Sequence, residues 1–322
     1  MERRPIGNGV KGMEAFKITV ESVIPVFLII LCGMFARYKG LLHEKDAAMV
    51  NRLVFRVFLP VSIARSIYQA DGTMPRFGYF AFLLVFFVLL FLFARAFAFR
   101  VSREPKQNGV IMQALCRSNA TLLGYALAMS LFPDGDGGIA ALIVTITVPV
   151  HSILAVLSFE LSRKNVDKRG LAKRILMNPL MIGCYAGLLI KLLPFDLPVL
   201  LDSTAQKLGG VASPLALFAV GASINVKRVV TNAKVLCCTV VTRLVLIPAV
   251  SLTVLFLLGF RGPEFAAFLC YVGSPTAVSS CPTAAEMGGD TELAVQIVAF
   301  STLISGLTLF AFIFLFKSLG AF

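Results

Sequence analysis

The sequence has no tryptophan, only two histidines, and 17 acidic residues against 30 lysines and arginines. With His43 and His151 alone, no HExxH, no GxSxG and no paired mid-span aspartates, it lacks the constellations of a metal-dependent or nucleophilic hydrolase. A membrane-embedded enzyme is therefore the weakest of the function classes. The seven cysteines stand singly in apolar segments with no CxxC spacing. They read as small buried hydrophobes and not as metal ligands, and no cofactor is implied. No loop is long enough to form a soluble domain, which excludes a separate catalytic module or a sensor's output domain.

Charge is scarce too. Charged residues make up 15% of the chain, where a soluble chain carries roughly 25%. What replaces them is apolar: 58% hydrophobic residues and a mean hydropathy of +0.87. Runs such as 77–99 and 302–322 reach the ~20 residues that span hydrocarbon. The pattern is that of an all-α polytopic membrane protein. Hydropathy marks ten spans, at 18–36, 47–69, 77–99, 108–131, 138–161, 174–193, 203–223, 235–258, 264–287 and 291–318. The segment 18–36 lacks a small-residue cleavage site and reads as a retained helix, with Glu21 at the headgroup boundary.

The net charge of +13 comes from short loops, so it points to the lipid bilayer and not to nucleic acid. Loops after odd-numbered spans hold fifteen lysines and arginines, against nine on the other side with the tail included. That excess places the first group in the cytoplasm of a cell-membrane protein, with both termini outside.

The two halves repeat. Pro25 and Pro179 are 154 residues apart, as are Pro60 and Pro214; Ser118 and Ser274 are 156 apart, as are Asp134 and Asp290. The chain thus divides into a tail (1–17), a five-span repeat (18–162), a basic loop (163–173) and a second five-span repeat (174–322). An odd number of spans inverts the second copy in the membrane, and inverted repeats are a transporter signature.

The fourth and ninth spans are interrupted at matching places, by "CRSNATLLG" (116–124) and "VGSPTAVSS" (272–280). Non-helical backbone at membrane depth is tolerated only where protein or water satisfies it. The two breaks are expected to cross at the midplane. Asn119 (or Ser118) and Ser274 would cap new half-helices, with Pro275 at the first helical position. Their converging N-termini favour an anion, and Arg117 adds a charge if it faces inward.

Other basic residues lie in spans. Arg52, Arg65 and Arg95 sit near span ends and can snorkel. Arg56 and Arg243 lie deeper, and either a structural ion pair or a place on the substrate path is open to them. His151 reads as a hydrogen-bonded core residue before a proton relay. Ser62, just after Pro60, is a candidate pocket hydroxyl.

"CGMFARYKGLL…NRLVFRVFLP", "CRSNATLLGYALA", "TRLVLIP" and "SPTAVSSCPTAAEMGGDTELAVQIVAFSTLIS" resemble the auxin efflux carrier family. The resemblance implies the fold of the bile-acid/sodium symporters: ten helices in two inverted repeats, with a scaffold and a transport domain of crossed, broken helices. It implies a carboxylate cargo held by Asn119 and the Pro275 segment; Ser118, Thr121 and Thr276, beside them in the sequence, are further candidate substrate-binding residues. The first, second, sixth and seventh spans would form the scaffold, and a homodimer would form through it. The short central loop favours a compact prokaryotic-type member. No Glu stands at the ninth-span break, where sodium-coupled relatives place a cation ligand, so secondary active or potential-driven transport of malate, malonate or an auxin-like acid by alternating access is expected, with proton coupling belonging to the alternative. A cation-coupled symporter of the bile-acid type is the alternative.

Overall fold

Backbone groups in hydrocarbon must be satisfied within their own segment, and helix does this. The computed structural model describes residues 24–25, 28–69, 77–119, 124, 127–128, 137–163, 172–173, 175–193, 196–223 and 232–322. The tail 1–17, Glu21, Thr121 and most of the basic loop 163–173 lie outside them.

The described residues form helices in the order expected from hydropathy. These are α1 (Leu28–Tyr38), α2 (Glu44–Leu53 continuing as Leu59–Tyr68), α3 (Phe77–Val101) and α4 (Pro105–Cys116). α5 (Gly137–Glu160), α6 (Pro179–Lys191), α7 (Val199–Ser223) and α8 (Ala233–Leu257) follow. The series closes with α9 (Pro263–Gly273), α10 (Ser280–Glu286) and α11 (Thr291–Ser318). Among the described residues, four stretches are long and apolar enough to cross a membrane: Lys45–Tyr68, Gly78–Val101, Ala233–Leu257 and Thr291–Ser318.

Local chemistry sets the ends and bends. Asn178 caps α6 by accepting from the Leu180 N–H, and Asp290 caps α11 by accepting from the Leu293 N–H at 3.0 Å. Within α2 and α8, π-turns at Val54–Phe58 and Thr242–Leu246 stop just short of Pro60 and Pro248. A proline ring collides with the carbonyl four residues back, and a widened turn relieves the collision.

Two bundles result. α1, α2, α6 and α7, the four spans named above for a scaffold, lie together: α2 packs on α6 and α7, and α1 meets α7, where Arg37 Nη1 donates to the Ala222 carbonyl at 2.9 Å. A Cβ on Gly33 of α1 would stand 2.0 Å from the Phe218 carbonyl oxygen of α7, and one on Gly187 of α6 would stand 2.5 Å from that of Ala64 in α2. Such backbone approach replaces the hydrophobic drive that helices lack in lipid. The second bundle holds α3, α4, α5, α8, α9, α10 and α11. Aromatic rings join α3 to α9, with Phe82 and Phe86 at 5.2 and 5.1 Å from Phe268. The bundles meet where α5 lies on α2 and α6, and where α10 lies on α2.

Candidate substrate site at the crossing of two interrupted spans

α4 stops at Cys116 and α9 at Gly273, and the chain beyond each is extended (Arg117 at φ −104, ψ 108; Ser274 at φ −63, ψ 148). The two extended pieces cross as an antiparallel bridge between Ser118 and Thr276. The Asn119 N–H donates to the Pro275 carbonyl at 2.8 Å, and the Ala277 N–H to that of Arg117 at 3.2 Å. In such a ladder Asn119 and Pro275 would exchange two bonds. Pro275 has no N–H, so the Asn119 carbonyl instead accepts a long 3.4 Å bond from Gly124.

Hydroxyls satisfy four further backbone groups around the crossing. Ser118 Oγ donates to the Tyr271 carbonyl at 2.5 Å, Ser274 Oγ to that of Cys270 at 2.5 Å, and Thr276 Oγ1 to that of Ala114 at 3.1 Å. Ser301 Oγ accepts from the Thr276 N–H at 3.3 Å. Ser118, Asn119, Ser274 and Thr276 are all buried.

One expectation is corrected here. Ser274 does not start a half-helix; it is the C-cap of α9, and helix resumes only at Ser280, with Ser279 as N-cap. Proline disfavours helical geometry in the residue before it. The Ser274 hydroxyl therefore turns back to the carbonyl four residues earlier and does not cap forward. The same dipeptide suits either end of a helix, so the direction was not legible locally. The segment following Asn119, including Thr121, lies outside the described residues apart from Gly124, Leu127 and Ala128.

Two guanidiniums reach the crossing. Arg243, 1% exposed, donates from Nη2 to the Ser274 carbonyl at 2.7 Å, and its Nε is buried without a partner among the described residues. Arg117, 6% exposed, makes a 3.4 Å contact from Nη1 to Thr283 Oγ1. Among the described residues no carboxylate pairs with either; the acids go elsewhere. Glu286 pairs with Arg56 and lies 3.7 Å from Arg52, Asp202 holds Arg65 through bonds of 2.9 and 3.1 Å, and Glu160 holds Arg163 at 3.3 Å. Arg56 is thus in an ion pair. Arg65 is paired across α2 and α7 and does not simply snorkel. Arg95 reaches the Leu161 carbonyl at 3.3 Å.

His151 is a buried core residue, its Nε2 2.8 Å from the Tyr271 hydroxyl. Ser62 is placed in the other bundle, against Gly209 of α7. Sequence reading did not bring Tyr271, Thr283 and Ser301 to the site. Their hydroxyls lie at ordinary helical positions, and only the crossing gives them a role. The amides of Gln113 and Gln296 are buried, with no partner for either amide atom among the described residues.

A buried polar centre between two interrupted helices, inside an apolar helical chain, is the architecture of a membrane transporter. A family model described as "Membrane transport protein" matches residues 18–313, and the chain belongs to that family, the auxin efflux carriers. It is 25% identical to an "Uncharacterized transporter" of Methanothermobacter thermautotrophicus over 90% of this chain and 96% of that one. It is also 25% identical to a "Putative malonate transporter" of Rhizobium meliloti, over 92% of this chain and 95% of that one. Among solved structures, the sodium proton antiporter of Methanocaldococcus jannaschii aligns with a TM-score of 0.49 at 13% identity, over 93% of this chain and 99% of that one.

Proposed function

We propose that the protein is a secondary carrier of a small organic anion, a mono- or dicarboxylate of the malonate or malate class or an auxin-like acid, working by alternating access. The observation that carries this reading is the pair of buried guanidiniums, Arg117 and Arg243, with no carboxylate on either among the described residues. A buried charge demands a counter-ion, and a bound carboxylate supplies it. The malonate named for the Rhizobium relative fits that chemistry. Asn119, Ser118, Thr121 and Thr276 would complete the pocket, with Ser274 and Pro275 shaping its wall.

Ten spans in two inverted repeats form the frame. Two contacts support it. Gly33 on Phe218 and Gly187 on Ala64 are the same contact made twice, since 187 minus 33 and 218 minus 64 are both 154. The crossing bonds Asn119 to Pro275, and 275 minus 119 is the 156 that separates the two breaks. A local two-fold would run between those residues. The basic loops then face the cytoplasm of a cell-membrane protein, with the termini outside, and the α1, α2, α6 and α7 bundle serves as scaffold and dimer surface. Sodium coupling of the bile-acid type is the second reading, with no acid at the crossing among the described residues to favour it.

Counterflow in liposomes tests this. Purified protein should exchange radiolabelled malonate for internal dicarboxylates saturably, and ignore the uncharged malonamide. Equal flux of malonate and malonamide, or no flux across a carboxylate panel, would overturn the proposal.

A further inference from the structure

Among the described residues, ion pairing bridges the boundary between the two bundles at Glu286. Glu286 is the last residue of α10, in the bundle that carries the crossing. Arg56 is in the π-turn of α2, in the other bundle. Arg56 Nε donates to Glu286 Oε1 at 2.6 Å, and Arg52, one turn earlier on α2, lies 3.7 Å from Oε2. The other ion pairs among the described residues stay within a bundle: Arg65–Asp202 in the first and Arg163–Glu160 in the second. The pair lines a cavity of about 500 Å³ whose walls come from both sides, with Phe55, Arg56 and Asn178 facing Arg163, Glu286 and Met287. α10 begins four residues after Thr276 and ends at Glu286 on the cavity wall, so its seven residues, ~10 Å of helix, link the crossing to this cavity.

The geometry points to the Arg56–Glu286 pair as the gate on the basic-loop face: it holds α10 against α2, and opens when the bundles move to expose the crossing to that side. This rests on the carrier reading above, though not on the identity of the cargo. The Arg56 side chain is 60% exposed and that of Glu286 17%, and both line the cavity, so water filling that cavity would screen the pair and let it break in every cycle. Packed bundles shift between discrete arrangements and do not deform continuously, so a contact spanning their boundary biases which arrangement is populated.

The test uses native Cys281, fully buried on α10, as reporter, with the other six cysteines replaced by alanine. A membrane-impermeant maleimide is added from the basic-loop side. Glu286→Gln frees both arginines and should raise the labelling rate at least fivefold. Arg56→Gln leaves Arg52 to hold the carboxylate and should raise it less. The exchange Arg56→Glu with Glu286→Arg should return it to within twofold of the parent. In a chain without native cysteines, Arg56→Cys with Glu286→Cys joined by a short thiol-reversible cross-linker should lose malonate counterflow, and dithiothreitol should restore it. Labelling that is the same in all variants, or counterflow that survives the cross-link, overturns the gate. If labelling follows the pair while no variant, nor the parent, transports any carboxylate, the gate stands and the anion reading falls.

Discussion

Arg117→Met separates binding from folding, because the structure gives Arg117 almost nothing to hold on to. Its contact to Thr283 Oγ1 is 3.4 Å long, beyond the range of a good N–H···O bond. No acid pairs with it among the described residues. Replacing a buried, unpaired cation by an apolar side chain of similar length is neutral or stabilising. The unliganded variant should therefore melt at or above the wild-type temperature in detergent. The bound carboxylate loses a charge-assisted hydrogen bond, which is worth about 1.5–3 kcal/mol, or roughly a 10- to 150-fold rise in Kd. Arg117→Lys keeps the charge without the planar fork and should fall between the two. Titration of malonate against the melting temperature measures both quantities in one series. Wild-type affinity in Arg117→Met refutes the assignment. So does an unliganded melting temperature several degrees lower, which would make Arg117 a structural residue.

Asn119→Ala should lower malonate transport at least tenfold while the protein still folds, because the tie to Pro275 uses the Asn119 backbone N–H; proteoliposome rates and gel filtration read the two outcomes. Ser274→Ala removes the bond to the Cys270 carbonyl and should cost about 1 kcal/mol of stability with less than a threefold change in malonate KM. Gly33→Ala drives a Cβ to 2.0 Å from the Phe218 carbonyl oxygen and should abolish the monodisperse peak in gel filtration. Gly210→Ala, with nothing within 4 Å, should leave that peak unchanged. Replacing sodium by potassium or choline should leave the malonate rate within twofold; a steep sodium dependence would favour the symporter reading.

Among the described residues the helices follow the order in which hydropathy reads them, since lipid permits little else to an unbroken apolar run. Both interruptions were legible because Ser118-Asn119 and Ser274-Pro275 put polar and ring-constrained residues where helix was otherwise assured. Their direction was not: whether Ser274 closes α9 or opens the next helix depends on which carbonyl its hydroxyl finds. Arg243 stayed undecided for a different reason. It lies 31 residues before Ser274 in the chain, and only the packing of α8 on α9 brings its guanidinium to that carbonyl. Arg65 was read as a snorkelling residue because its partner Asp202 is 137 positions away. Ser62 was reached by the repeat offset of Pro60, which speaks to equivalence between the halves and not to nearness to the crossing.

The crossing is tied by main chain, between Asn119 and Pro275 and between Ala277 and Arg117. Main-chain bonds are indifferent to side-chain identity, apart from the missing donor of Pro275. A descendant chain could therefore exchange the side chains at positions 117 and 119 one at a time, acquiring a different cargo, while the scaffold of the crossing was inherited intact. Positions 118, 274 and 276 are less free, since their hydroxyls each hold a carbonyl that lost its helical partner. Divergence of cargo within such a lineage would be concentrated in the first group and nearly silent in the second.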